Sequence, residues 1–334
     1  MLKACVIGCG VISSIHIPVL LGMEDVSLVA VCDIDPAKKP DLPDNIHFYT
    51  DYQELFEKEH PDVAHICLPH YLHYPVSRFF AEHGVHVFCE KPAARDSYEL
   101  EQFITVEDQH PELKMGICFQ NRFNDTSLKL KELLQSGEYG KILGAFASNP
   151  WIRDQQYYNN GTWRGIFKLA GGGCMINQAI HLIDLMGILC GPVKSLKGMS
   201  MNLLDLAIDV EDTAVAKIDF ASGARGVFFA TLANSYNAGP FLEFRTEKAI
   251  FQIDSRKLYQ LDESGERQLI VEDKALEGSK FYYGSSHRRM IEKYYTAVKT
   301  GSDDYVHVRD ARLSNRVIDA IYQSGDSGKE IVMQ

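Results

Sequence analysis

Three short stretches carry residue types that could do chemistry. Cys89-Glu90-Lys91-Pro92 closes an apolar run, Val85-His86-Val87-Phe88, that reads as a strand. A lysine at the carboxyl edge of a doubly wound sheet stands where cofactors bind in such folds. Its pKa drops readily on burial or beside positive charge, which suits a proton-transfer group. Gly8-Cys9-Gly10-Val11-Ile12-Ser13 follows a first strand and opens a helix. Gly8 permits a tight turn, Gly10 lets the backbone approach a pyrophosphate, and the small Ser13 takes the third glycine place. The helix N-terminus then offers N–H groups to phosphates. Asp33 ends the second strand about 20 residues further on, where a carboxylate accepts from adenine ribose hydroxyls and repels a 2′-phosphate. NAD is therefore expected over NADP, although Lys38 and Lys39 follow closely.

The third stretch follows Gly171-Gly172-Gly173, which breaks regular structure. Cys174–Leu189 reads as a helix with apolar Met175, Ile176, Ile180, Ile183 and Leu185. Asn177, His181 and Asp184 fall at i, i+4 and i+7, hence on one face. A core histidine bonded to Asp184 is the plain alternative to a catalytic one. Upstream, the run from Trp151 to Asn160, with Trp163 and Arg164, contains both tryptophans of the chain. Trp151, Arg153, Tyr157, Trp163 and Arg164 combine aromatic faces with multidentate donors, which suits a polyhydroxylated ring. A rigid surface loop or subunit contact is the alternative there. Arg122 could face cofactor or substrate, whereas Tyr236 and His287 read as structural.

Elements that could position these residues follow from the pattern. Strands at Ala4–Ile7, Ser27–Cys32, Val63–Leu68, Val85–Cys89 and Lys114–Cys118 alternate with helices at Ser14–Leu21, Tyr52–Lys58, Pro75–His83 and Ser97–Asp108. That alternation predicts a parallel sheet covered on both faces. After Phe119 the pattern changes to a helix at Thr126–Leu134 and then β-rich runs from about Val193 to Leu261. Helices at Ser286–Lys299 and Ala311–Ser324 close the chain. The expected fold is α/β, with a Rossmann dinucleotide-binding domain over 1–120. A substrate-binding and oligomerisation domain with a mostly antiparallel open sheet is expected over 121–334.

Composition bounds the function. With 334 residues the chain is long enough for two cores. Its formal net charge of −11 argues against nucleic acid or an anionic membrane as partner. Neither a targeting segment nor an apolar run of membrane-spanning length is expected. The eight cysteines are scattered without metal-site spacing, so no metal is expected and the thiols read as reduced, in a cytoplasmic protein.

Taken together, these motifs resemble the Gfo/Idh/MocA oxidoreductases. The resemblance runs from Gly8-Cys9-Gly10 with Ser14-Ile15-His16, through Leu68-Pro69-His70-Tyr71-Leu72-His73 and Gly84 to Pro92. It continues along Gly171 to Asp184 and ends at Ser286-His287 and Gly328 to Val332. It implies that Lys91 is the catalytic lysine, that Pro92 is cis, and that His181 moves the hydroxyl proton. Asn177 stands where many members carry Asp, which reads as a subfamily mark, since an amide orients without adding charge. Gly8, Gly10, Val11, Ile12, Asp33, Leu68, Pro69, His70, His73, Glu90, Lys91 and Gln120 are implied to hold NAD. Together with the residue chemistry above, the expected substrate set is Lys91, Arg122, Trp151, Arg153, Tyr157, Trp163, Arg164, Asn177 and His181.

The activity expected is NAD-dependent oxidation of a secondary CH–OH group in a sugar, sugar derivative, glycoside or inositol, by a homodimer or homotetramer. Two alternatives stand beside it. One is an NAD-dependent glycosidase or lyase that oxidises only transiently, and the other is a non-catalytic sugar or nucleotide sensor. Retention of both Lys91 and His181 argues against the sensor.

Overall fold

The computed structural model describes residues 1–160, 163–274 and 286–333. The chain forms two compact units. In the first, β1 (Leu2–Ile7), β2 (Val26–Cys32), β3 (His47–Tyr49), β4 (Val63–Ile66), β5 (His86–Glu90) and β6 (Met115–Cys118) make one sheet. Its order is β3-β2-β1-β4-β5-β6, and every pairing is parallel. Helices α1 (Ser13–Leu21), α2 (Tyr52–Glu59), α3 (His70–Glu82) and α4 (Ser97–Gln109) connect the strands. Ala4, Cys5, Val6 and Ile7 are buried in succession, as in a strand covered on both faces.

The order of strands reverses between β1 and β4, so both end at the switch point where ligands bind in such sheets. Helix α3 begins at His70 and carries Pro75 inside it, whereas the sequence suggested a start at Pro75. Proline favours the first helical turn, and that preference placed the expected start too late.

The second unit contains α5 (Asp125–Gln135), β7 (Ile142–Pro150) and the short α6 (Gln155–Asn159) and α7 (Phe167–Ala170). A π-helical turn over Met175–Ala179 runs directly into α8 (Ile180–Cys190). There follow β8 (Val193–Met201), β9 (Thr213–Phe220), β10 (Arg225–Thr231), β11 (Phe241–Thr246), β12 (Ile250–Asp254), β13 (Lys257–Leu261) and β14 (Arg267–Glu272). After these come α9 (Ser286–Thr300), α10 (Arg312–Ser327) and β15 (Ile331–Val332). The nine-stranded sheet has the order β14-β13-β12-β11-β7-β10-β9-β8-β15 and is antiparallel except between β7 and β10. Helices α8 and α10 pack against strands β7 and β8 respectively. Inward residues such as Phe228 and Ala147 are fully buried, while Phe146, Val227 and Met199 remain exposed.

The division expected at residue 120 needs one correction. His287–Ala311, which includes nearly all of α9, belongs to the first unit. The apolar face of α9 explains why: Tyr294 packs on Phe88 with ring centroids 4.9 Å apart, and the Tyr295 hydroxyl lies 3.0 Å from His65 Nε2. Both tyrosines are buried, and fully burying one large side chain contributes about 1.5–3 kcal/mol. A boundary drawn once along the chain cannot see a helix that returns. A second correction concerns Phe167–Cys190, which is long and apolar enough to pass for a membrane span at a mean hydropathy of 1.4. Of that apolar window 78% is buried inside the protein, so its apolarity serves the core.

Candidate active site

In the first unit the glycine loop is built by backbone contacts. Gly8 has φ +99, and a Cβ there would lie 2.4 Å from the Cys67 carbonyl oxygen, so only glycine fits the approach of β1 to β4. A Cβ on Gly10 would meet nothing within 4 Å, which leaves the backbone open to a pyrophosphate. Ser13 starts α1 and donates from its hydroxyl to the Gly10 carbonyl at 2.6 Å. The Asp33 carboxylate accepts from Cys9 N at 2.9 Å and from Asp35 N at 3.0 Å, and Lys38 Nζ lies 3.5 Å away. Asp33 thus fixes the loop as well as standing at the end of β2. Val11 is exposed beside it, and Ile12 caps α1 with its backbone alone. The open Gly10 face, the anchored loop and the carboxylate together fit a dinucleotide.

Behind Lys91 lies a buried polar cluster that the spacing of residues did not reveal. Glu90 Oε1 lies 3.0 Å from His16 Nε2, and Glu90 Oε2 accepts from Lys91 N at 3.2 Å. The other side of the His16 ring meets His65 Nδ1 at 2.9 Å, and His65 continues to Tyr295. Burial alone would raise the Glu90 pKa. The His16 hydrogen bond and charge, with Lys91 beside it, overcome that and hold the carboxyl well below its usual range. The charge of His287 acts on Glu90 in the same direction, and burial pushes the His287 pKa itself down to about 4.

The carboxylate of Glu90, a residue expected to touch the cofactor, supports Lys91 from within the core. His16, Glu90 and Cys118 bring ligand atoms within 4.8 Å of one another. Burial pushes the Cys118 thiol well up, so the trio suits a hydrogen-bonded network and not a thiolate metal site. His16, which follows the glycine loop on α1, is a residue whose role the sequence did not reveal.

The Lys91-Pro92 peptide is cis, as the resemblance implied. His73, expected against the cofactor, directs Nδ1 to the Pro92 carbonyl at 2.6 Å and Nε2 to the Leu68 carbonyl at 2.7 Å. Its ring therefore ties the loop of Leu68 and Pro69 to the segment after Lys91. Burial lowers its pKa against the pull of those carbonyls. His70 is buried at the first position of α3, with its ring 5.7 Å from that of His73.

In the second unit, the candidate base lies on the continuous helix formed by the π turn and α8. His181 Nε2 is 3.3 Å from the Gln120 side-chain amide, on a 3-10 turn over Gln120–Phe123. With the amide donating, Nε2 is the unprotonated nitrogen and its lone pair accepts that bond. One turn on, both Asp184 oxygens accept from Arg122, at 2.8 and 2.5 Å. The Arg122 fork, expected to face a ligand, is engaged by a buried carboxylate and holds the helix in place.

Asn177 points elsewhere. Its amide donates to the Tyr157 hydroxyl at 3.1 Å, and the adjacent Gln178 amide donates to the same oxygen at 3.0 Å. Neighbouring residues of a regular α-helix do not face one partner. The wider π turn over Met175–Ala179 rotates each residue less and permits it, and such turns occur often at functional sites. The expected common face of Asn177, His181 and Asp184 is therefore split in two.

The start of this helix is held by Glu211, which accepts from Gly173 N at 2.7 Å, from Met175 N at 2.9 Å and from the Tyr322 hydroxyl. Burial raises the Glu211 pKa despite these donors. Tyr157 also joins the two halves of the aromatic stretch. The Arg153 guanidinium lies 4.9 Å from the Trp151 ring and 5.0 Å from the Tyr157 ring. That of Arg164 lies 5.4 Å from Tyr157 and 4.8 Å from Trp163. These five candidates do come together.

Residues 2–115 match the family model described as oxidoreductase family, NAD-binding Rossmann fold, and residues 127–252 match that of the GFO/IDH/MocA C-terminal domain. The D-glucoside 3-dehydrogenase of Escherichia coli is 23% identical, over 99% of this chain and 97% of its own. The myo-inositol 2-dehydrogenase of Thermotoga maritima is 26% identical, over 92% of each. Among solved structures, the WlbA dehydrogenase of Chromobacterium violaceum, in complex with NADH and UDP-GlcNAcA, shares the fold. It superposes with a TM-score of 0.83 at 24% identity, covering 100% of this chain and 96% of that one. The chain belongs to the Gfo/Idh/MocA oxidoreductases, and its first unit is an NAD-binding Rossmann domain.

Proposed function

We propose that the protein oxidises a secondary hydroxyl of a sugar, sugar derivative, glycoside or inositol. NAD, held by the Gly8–Ile12 loop and Asp33, supplies the acceptor for the hydride that leaves the carbon. His181 takes the hydroxyl proton on Nε2, with the substrate hydroxyl replacing the Gln120 amide as the donor to that nitrogen. Lys91 hydrogen-bonds the developing alkoxide and shares in the proton transfer, while the ionised Glu90 behind it stabilises its charge. Arg122 and Asp184 hold the helix so that His181 keeps its place.

The observation that carries this reading is the oriented His181, nearly buried on a helix fixed at its start by Glu211. The test is incubation with NAD and a panel of sugars, inositols and glycosides, followed by nicotinamide absorbance and product analysis. Stoichiometric NADH supports a dehydrogenase. Cleavage without NADH would replace it with transient oxidation, and inertness toward every member with a sensor.

The assembly proposed is a homodimer or homotetramer formed through the exposed face of the nine-stranded sheet. Phe146, Val227 and Met199 are 36%, 43% and 51% exposed there, and Phe146 pairs directly with Val227 across the strands. Contiguous apolar surface of this kind marks an interface. Light scattering should return a multiple of the 37.6 kDa chain mass, and a stable monomer at micromolar concentration would exclude it.

A further inference from the structure

The five aromatic and arginine residues of the second unit form an alternating series: Trp151, Arg153, Tyr157, Arg164, Trp163. Each guanidinium lies between two rings at 4.8–5.4 Å from their centroids. Stacking occupies the faces of a guanidinium and leaves its in-plane N–H edge for other partners. Arg153 spends one nitrogen on the Ile152 carbonyl at 2.6 Å and the Asn237 side-chain oxygen at 2.7 Å. Among the described residues neither Arg153 nor Arg164 has a carboxylate within ion-pair distance. Asp154, next in sequence, uses its carboxylate to cap α6.

Four arginines elsewhere in the chain are paired with carboxylates: Arg78 with Glu82, Arg122 with Asp184, Arg267 with Asp254 and Arg309 with Glu107 and Asp108. In a chain with a net charge of −11, two neighbouring guanidinium groups stacked on one run of aromatic rings, with no carboxylate at ion-pair distance, form a local concentration of positive charge. A neutral polyol does not call for that charge, since amides and hydroxyls would bind it as well. An oxyanion does, because a guanidinium edge donates two parallel hydrogen bonds to a carboxylate or phosphoryl group. The series is also joined to the helix of His181, because the central Tyr157 hydroxyl takes both the Asn177 and Gln178 amides.

We infer that the substrate is an anionic carbohydrate, whose carboxylate or phosphoryl group is held by Arg153 and Arg164 while its ring stacks on the neighbouring aromatic faces. This rests on the dehydrogenase reading for what happens to the hydroxyl, but the anion subsite can be tested without turnover. Calorimetric titration of the NAD-loaded protein would use matched sets: glucose, glucuronate and glucose 6-phosphate, with the corresponding galactose and mannose series.

In at least one set an anionic member should bind about tenfold or more tightly than its neutral partner, the scale of one charge-assisted hydrogen bond. A carboxylate preference and a phosphate preference each identify the group. The double variant Arg153→Gln, Arg164→Gln should bring the ratio close to one, and the double lysine variant should restore part of it. Thermal melting of each variant checks that the fold is intact. Equal binding of neutral and anionic members in every set, or an anion preference that survives the double glutamine variant, overturns the inference. NADH formed from neutral members alone would leave the dehydrogenase reading standing without it. Arginine-dependent anion binding with no NADH from any member would leave the subsite standing without the dehydrogenase.

Discussion

Glu90 in the first unit and Glu211 in the second are both buried beside a segment that carries a candidate catalytic residue. Burial pushes both carboxyl groups toward protonation. They differ in what answers that push. Glu90 meets the His16 imidazole, which can carry charge, and is held ionised below the usual range. Glu211 receives three neutral donors, two backbone N–H groups and a phenol, and remains raised. Neutral dipoles satisfy a carboxylate geometrically without matching the free energy that a charged partner supplies in a low dielectric. The first glutamate is therefore a source of negative charge behind Lys91, and the second is a clasp at the start of the His181 helix.

His16→Ala breaks the comparison most severely. It leaves the Glu90 carboxylate buried without its ring, which should cost about 3–5 kcal/mol of stability, read by denaturant unfolding. The pH dependence has a definite sign. A depressed carboxyl contributes stability that is complete above its ordinary value of 4.5 and lost as pH falls through the folded-state value. The gap between wild type and His16→Ala should therefore narrow on acidification below about pH 4.5. A gap constant with pH would mean that Glu90 is not held ionised by this ring.

Next come the residues that the two glutamates serve. Lys91→Ala and His181→Ala should each lower kcat by about 100-fold or more, the scale of general acid–base contributions, with little change in NAD affinity. Near-wild-type turnover in both would remove the catalytic assignment. Glu211→Gln should be milder in stability, costing about 1–3 kcal/mol, because one of three donors then faces an amide NH2. Its pH dependence runs opposite to that of His16→Ala. A raised carboxyl penalises the fold once ionised, and the penalty is relieved as pH falls through the raised value. The gap between wild type and Glu211→Gln should widen on mild acidification, and parallel slopes for the two variants would erase the distinction.

The smallest effect is expected for Asn177→Asp, which adds charge on the π turn without touching His181. The acidic limb of the pH–rate profile should move to higher pH, as a nearby anion favours the imidazolium. An unmoved profile would place position 177 outside the electrostatic reach of the base.

The same contrast explains what could be read from residues alone. The glycine loop, Asp33 and the end of β5 were legible because backbone geometry dictates them: Gly8 is required by its φ and by the Cys67 carbonyl. The parallel and antiparallel sheets were legible from apolar periodicity. The roles of His16, His73 and Glu211 were not, since each is set by a partner distant in the chain. The pairing of Arg122 was not legible for the same reason, its fork being closed on Asp184 from another element. The helix phase failed at Asn177 because periodicity assumes one kind of turn.

That turn bears on how relatives should be compared. Met175–Ala179 holds one residue more per hydrogen-bonded loop than a regular α-helix would. Deleting a single residue there would restore ordinary bonding and swing everything before it by about 100° relative to His181. Two chains with identical Asn-x-x-x-His spelling could thus aim the amide in different directions. Conversely, a relative one residue shorter could keep the amide where this chain has it. The direction of the Asn177 amide is then set partly by the count of residues in one loop of a helix, which an alignment that tracks only their identities does not register.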